Sequence, residues 1–264
     1  MSSPCPVCEQ PTQPWGTGTV LGDVRADYVR CQACGLIRAE HPDWLERAYS
    51  SAIADLDIGL LDRCLVLSHV TAAVLFAQRL RGGSFLDWAG GYGTLTRLMR
   101  DRGHDFVDHD PMATNVFAGR HRVDDLTGLR FDAVTAFEVL EHLADPVEQL
   151  REAAELTDLL LVTTQVIPDP APRPGSWDYY APETGQHITF YTARTVAVLA
   201  RRLGFHGSVS GSLVHLMHRR PIMRRTRALV RSHRLAYGVG LVASLPDRRR
   251  SLLLADAERV RSGS

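Results

Sequence analysis

The sequence predicts an α/β protein: a parallel, doubly wound sheet with helices on both faces, preceded by a small cysteine-based module. Three observations carry this reading. An apolar run ending in an acid meets a glycine-rich turn at Ser84 to Gly93, S-F-L-D-W-A-G-G-Y-G. From there to about residue 220, strand-like apolar runs alternate with helical patterns, as they do in a parallel sheet with crossover helices. Ahead of them, two C-x-x-C pairs lie within residues 1–40.

At 264 residues and 45% hydrophobic content, the chain can bury a full α/β core and still carry an accessory module. Its 30 basic and 30 acidic residues cancel, so no overall field draws it to nucleic acid or an anionic membrane. Every basic residue is arginine, a bias that reads as genome composition, so arginine clusters carry little weight. Met1 to Cys8 lacks a signal-peptide pattern, and no window reaches the roughly 18 apolar residues of a membrane span. A cytoplasmic location is expected.

Residues 1–40 form the first unit. Cys5 and Cys8, then Cys31 and Cys34, can place four thiolates at the corners of a tetrahedron, the signature of a zinc ribbon. With all four positions filled by cysteine, none is left for substrate, so the zinc is structural. Residues 41–83 form a helical lead-in, with Leu60, Leu61, Cys64, Leu67, Val70 and Val74 at helical intervals and Gly82-Gly83 at its end.

In the main domain, residues 84–220, Asp87 closes the first strand. Ala89, Gly90, Gly91 and Gly93 leave the backbone open to a cofactor. A helix over Thr94 to Arg102 and a strand over Asp105 to Asp110 follow. Asp110 lies one helix plus one strand beyond the glycine turn, where a carboxylate reaches ribose hydroxyls; Asp108 is its rival. The run Phe131 to Phe137 reads as a buried strand leading into Glu138, Glu141 and His142, with a helix from Asp145-Pro146 and a strand over Asp158 to Thr164. A helix over Thr192 to Leu203 and a pair of strands within Phe205 to Arg219 close the domain.

Residues 165–191 are too long and irregular for an ordinary connection, and they leave the carboxyl end of a strand, where ligands bind in open α/β sheets. Trp177, Tyr179, Tyr180, Glu183 and Tyr191 suit a lid over a substrate. The tail, residues 221–264, carries Arg224, Arg225, Arg227, Arg231, Arg234 and Arg248 to Arg250 on helical patterns. It could grip a polyanion or membrane surface, or simply be a solvated face.

Taken together, L-D-W-A-G-G-Y-G, Asp110, F-D-A-V-T-A-F-E-V-L-E-H-L and the strand at Leu159 to Thr163 resemble a class I S-adenosylmethionine-dependent methyltransferase over about residues 65–220. The resemblance implies a Rossmann-like seven-stranded sheet with the last strand antiparallel, and S-adenosylmethionine as cofactor. It places the glycine loop under the methionine part of that cofactor, Glu138 beside the cofactor, Asp110 on its ribose, and an acid such as Asp124 or Asp125 near its adenine. Ala89 stands where the family has its first glycine; alanine serves there if the backbone φ is negative. The cysteine module and Y-Y-A-P-E-T-G-Q-H-I-T-F-Y further resemble bacterial methyltransferases of sugar, glycan and natural-product pathways that carry an amino-terminal zinc-binding segment.

The expected reaction is methyl transfer to a small-molecule or glycan hydroxyl. His187, near Gln186 and Glu183, is the first candidate for general base, and His142, beside Glu141, the second. Two rivals stand beside this reading. One is an RNA methyltransferase that uses the ribbon for recognition, against which Arg25, Arg30 and Arg38 are balanced by Glu9, Asp23, Asp27 and Glu40. The other is a non-catalytic cofactor-binding scaffold.

Overall fold

The structure, a computed structural model, describes residues 3–49, 58–80, 82–243 and 251–262. Two sheets organise it. The smaller begins as an antiparallel meander of β1 (Thr12–Val20), β2 (Val24–Cys31) and β3 (Ile37–Glu40). Its fourth strand is β8 (Thr189–Phe190), which comes from the end of the expected lid and pairs with β3. The amino-terminal module and the end of the 165–191 segment therefore share one sheet.

The larger sheet contains β4 (Ser84–Trp88), β5 (Asp105–His109), β6 (Ala133–Ala136), β7 (Leu159–Thr163), β9 (Gly207–Ser210) and β10 (Val214–His218), in the order β5-β4-β6-β7-β10-β9. The first four are parallel, and β10 runs antiparallel to both β7 and β9. Among the described residues this gives six strands, not the seven that the resemblance implies. Beyond β5 the chain supplies only one bridge, Asp108 to Arg122, with the Val123 N–H on the Asp108 carbonyl at 2.7 Å. Arg122 leaves a 3-10 turn and the chain bends again at Asp124, so no further ladder bonds form.

Alternate strand residues serve opposite cores, as the pleat requires. Leu86, Val134, Leu160 and Val162 pack with α4 (Pro146–Gln149), α5 (Arg151–Glu155) and α6 (Ala193–Arg202). Phe85, Phe106, Leu159 and Leu161 pack with α2 (Leu60–Gln78), α3 (Thr94–Asp101), α7 (Arg224–Arg231) and α8 (His233–Ala243). The single helix expected after Asp145 is broken at Leu150 into α4 and α5, and Asp145 caps the first by accepting from the Glu148 N–H at 3.2 Å.

The lead-in consists of α1 (Leu45–Ala48) and α2, while residues 50–57 and 81 lie outside the described set. By length and composition alone α2 passes for a membrane span, with a mean hydropathy of 1.6. Here Leu67 through Leu75 are buried against the sheet and neighbouring helices, so a core role accounts for its apolarity.

In the tail, α7 and α8 pack on α2, and Arg225 donates to the Ala77 carbonyl at 2.8 Å; Arg248 to Arg250 lie outside the described residues. α9 (Leu253–Ser262) is fixed by one carboxylate. Asp256 accepts from Arg100 at 2.8 and 2.9 Å and from Arg97 at 2.9 Å, with His121 at 3.4 Å. Burial opposes the charge on Asp256, but the Arg100 bonds and charge outweigh it and hold the pKa at about 2. A depressed carboxylate pKa stabilises above the unfolded value and is lost as pH falls through the folded one. Hydrogen exchange of α9 is therefore expected to rise between about pH 4 and pH 2, and Asp256→Asn to show that exchange already at neutral pH.

Candidate functional site

The glycine turn sits at the carboxyl end of β4. Asp87 is buried there, accepts from the Thr135 hydroxyl at 2.7 Å, and is pushed up to about 8 by burial, with Asp108 and Asp110 adding to the shift. A cationic ligand group beside it would lower it again. Gly90 crosses this acid pair so closely that a Cβ would lie 2.1 Å from Asp108 Oδ1 and 2.7 Å from Asp87 Oδ2. Gly93 has φ +76°, and a Cβ there would strike the Asn115 amide.

Ala89 corrects an expectation. Its φ is +58°, in the left-handed region, with its N–H on the His109 carbonyl at 2.7 Å. The family glycine is thus replaced by alanine at a position where a side chain costs about 1–2 kcal/mol. The loop keeps its shape despite that strain.

Asp110 is drawn onto this loop. One carboxylate oxygen accepts the Gly91 N–H at 2.9 Å, and the other accepts the Met112 and Ala113 N–H groups at 2.8 and 3.0 Å. Its rival Asp108 is fully buried, pushed up by burial, and accepts from Asn115 at 2.7 Å, which makes it a support beneath the loop. Asp124 is exposed and paired with Arg122 at 2.6 Å, while Asp125 caps its own turn by accepting the Thr127 N–H at 2.9 Å.

Beyond β6, the strand beside β4, the chain makes a left-handed turn at Glu138 (φ +54°) and then a 3-10 turn, Leu140–His142. Glu138 exchanges hydrogen bonds with Thr163, 2.7 Å from its N–H and 2.9 Å to Oε1, and pairs with Arg63 at 2.9 Å. Burial pushes the Glu138 carboxyl up, with the Glu141 charge adding. Glu141 is fully buried, is likewise pushed up by burial, and accepts from Tyr179 at 2.7 Å.

The 165–191 segment brings its histidine to this turn. The Ile188 N–H donates to the Glu141 carbonyl at 2.8 Å, Thr189 to the Leu143 carbonyl at 2.6 Å, and Tyr191 to the Leu140 carbonyl at 2.8 Å. The His142 and His187 rings consequently lie 5.1 Å apart, and the ligand-capable atoms of Glu141, His142 and His187 fall within 4.8 Å of one another. Gln186 is held by the Ala48 carbonyl at 2.9 Å and offers its own carbonyl to His142.

The aromatic residues read as substrate walls are mostly plugs. Tyr191 is fully buried with its hydroxyl on a backbone carbonyl, so it is not substrate-facing. Tyr180 is 2% exposed, donates to the Pro172 carbonyl at 3.0 Å, and packs against Tyr28 and Phe190 in the smaller sheet's core. Tyr179 is spent on Glu141 and the Thr164 hydroxyl. Trp177 packs between Tyr179, Tyr180 and Phe190, and Glu183 is exposed. An aromatic lid and an aromatic plug have the same composition, and the core of the amino-terminal module needed a plug. Tyr49, whose hydroxyl lies 3.1 Å from His142 Nδ1, and Arg63 join the site with no motif to announce them.

At the far side of that module, Cys5 Sγ lies 3.6 Å from Cys34 Sγ and Cys8 Sγ 3.4 Å from Cys31 Sγ. All four sulfurs are within 4.8 Å of one another. A zinc tetrahedron with Zn–S bonds of about 2.3 Å has edges of about 3.8 Å, so this donor set fits that ion. The cluster is stitched to α6 by the Thr192 and Thr195 hydroxyls, which both donate to the Cys34 carbonyl, at 2.8 and 2.9 Å.

An open α/β sheet with a glycine turn after β4 and a carboxylate drawn onto it from the end of β5 is a setting for a nucleotide-type cofactor. A family model described as a methyltransferase domain matches residues 65–207, more than half of the chain, and the chain belongs to that family. A ubiquinone biosynthesis O-methyltransferase from Azorhizobium caulinodans is 28% identical over 132 residues, which is 43% of this chain and 52% of that protein. The chain thus spans about half the length of the curated relative it matches. Among solved structures, the mitomycin 7-O-methyltransferase MmcR is 19% identical, covering 60% of this chain and 54% of that one with a TM-score of 0.45. A possible histamine N-methyltransferase from Thermotoga maritima is 13% identical, covering 66% and 99% with a TM-score of 0.48.

Proposed function

We propose that this protein is an S-adenosylmethionine-dependent methyltransferase that methylates a hydroxyl of a small-molecule acceptor, of the sugar, glycan or natural-product kind, and that removal of the acceptor's proton depends on His187. The observation that carries this is the cluster of Glu141, His142 and His187 just past β6, next to the strand that bears the cofactor loop. In its simplest form the reaction is an in-line displacement. The acceptor oxygen forms the O–C bond as the C–S bond breaks, its electron pair returns to sulfur, and the hydroxyl proton passes to an imidazole nitrogen. The Nδ1–H of His187 is fixed on the Tyr179 carbonyl at 2.7 Å, which leaves Nε2 as the basic nitrogen. The relative from Azorhizobium, an O-methyltransferase by name, supports oxygen as the accepting atom.

Asp110 would hold the cofactor's ribose, and the glycine turn, with Asp87 and Glu138, its charged amino-acid end. The four cysteines hold a structural zinc that ties the smaller sheet, and through β8 the lid, to α6. A reducing, cytoplasmic setting suits thiols kept free for that ion. The RNA reading loses support at the ribbon, where Arg25 is paired with Asp27 at 3.0 Å and the Arg30 guanidinium lies 4.7 Å over the Trp15 ring. Incubation with methyl-13C S-adenosylmethionine and a panel of phenols, sugars and an RNA pool tests the reading. An O–CH3 resonance on a small acceptor is expected; label only on RNA, or on nitrogen, would contradict it.

A further inference from the structure

We infer that Glu141, His142 and His187 form a divalent-cation site, distinct from the four-cysteine cluster, that binds the acceptor's oxygen. This rests on the reading of the cluster as the place where the acceptor loses its proton. Two imidazoles and one carboxylate are a donor set for zinc or manganese that leaves a coordination position open for substrate oxygen.

Two independent observations point to a ligand. Glu141 is fully buried, and while its Oε1 accepts from Tyr179, its Oε2 has no hydrogen-bond partner among the described residues. A buried carboxylate oxygen left so is costly unless something else satisfies it. Second, both histidines are oriented as metal ligands usually are, with one ring nitrogen on a backbone carbonyl. His142 Nδ1 lies 3.1 Å from the Gln186 carbonyl and His187 Nδ1 2.7 Å from the Tyr179 carbonyl. A carbonyl only accepts, so Nδ1 carries the proton in each ring and Nε2 the lone pair. The Tyr49 hydroxyl, 3.1 Å from His142 Nδ1, completes that outer shell.

With the cation in place, His187 is a ligand and the cation lowers the acceptor's pKa. The bound hydroxyl gives its proton to water, its oxygen forms the O–C bond, and the C–S pair returns to sulfur. Without a cation, His187 would have to take the proton itself.

Protein whose cysteine site is loaded with zinc is titrated with Mn2+, and the electron paramagnetic resonance signal of free Mn2+ is followed. Uptake of about one equivalent is expected. Tyr179→Phe, which removes only the hydroxyl behind Glu141, should weaken that uptake about 10- to 100-fold, while Glu141→Gln should abolish it. Affinity for S-adenosylhomocysteine serves as the check that each variant is folded, and if Glu141→Gln fails it, Tyr179→Phe decides. No uptake by the wild type, or equal uptake by wild type and Tyr179→Phe, overturns the cation site. If there is no uptake but His187→Ala still abolishes turnover, the cation falls and the base reading stands. Full turnover by His187→Ala overturns the catalytic reading of the cluster itself.

Discussion

Replacing His187 with alanine is expected to lower turnover by about 10²- to 10⁴-fold, the usual range for a lost acid–base group, with affinity for S-adenosylhomocysteine near wild type. The two effects separate because His187 is anchored away from the glycine loop. Its ring contacts are the Tyr179 carbonyl and ring and the His142 ring, on the lid and the turn beyond β6. The segment itself is held by backbone bonds from Ile188 and by the Thr189 and Tyr191 hydroxyls, none of which the substitution removes. Stopped-flow or single-turnover measurement of methyl transfer, paired with calorimetric titration of the demethylated cofactor, reads both quantities. Wild-type turnover in His187→Ala would remove the residue from the chemistry.

Asp110→Ala should do the reverse, weakening cofactor binding by about 10- to 100-fold, on the basis of about 1.5–3 kcal/mol for each hydrogen bond to a charged group. Two losses combine. The carboxylate that would receive ribose hydroxyls disappears, and so does the anchor that draws the Gly91 N–H toward β5 at 2.9 Å. Asp110→Asn keeps an acceptor for the Met112 and Ala113 N–H groups, so it should lose less. Calorimetry on both variants checks the ordering, and unchanged affinity in Asp110→Ala would refute the ribose assignment.

The parts of the site made by local chain geometry were legible in the sequence. An acid, small residues and a helix start in immediate succession describe a turn that bonding within a few residues enforces, and Asp110 closes onto it from the adjacent strand. Gly90 and Gly93 were also readable, because close approach and positive φ demand glycine. Ala89 departs from that rule, since the same positive φ is there held by a residue that does not prefer it.

What tertiary packing decides was not legible. The pattern of residues 165–191 shows aromatic groups but not which way they face, and Tyr180 and Tyr191, expected to face a substrate, are packed in the interior. β8 pairs with β3 across some 150 residues of chain, so the union of the 165–191 segment and the amino-terminal module into one sheet has no local signature. Tyr49 and Arg63 reach the site from helices whose only visible pattern is apolar periodicity. The same union gives the cysteine module a role that its spacing alone did not suggest. Through Thr192, Thr195 and β8 it holds the segment that carries His187.

That the glycine loop and the histidine cluster act on the two partners of one methyl transfer is tested most directly by a crystal structure with S-adenosylhomocysteine bound. The cofactor's sulfur is expected to face Glu141, His142 and His187 with room between for one acceptor oxygen, at the roughly 3–3.5 Å separations of an in-line approach. A sulfur directed away from the cluster, with Glu138 or the Tyr179 ring closing the path to His187, would contradict it.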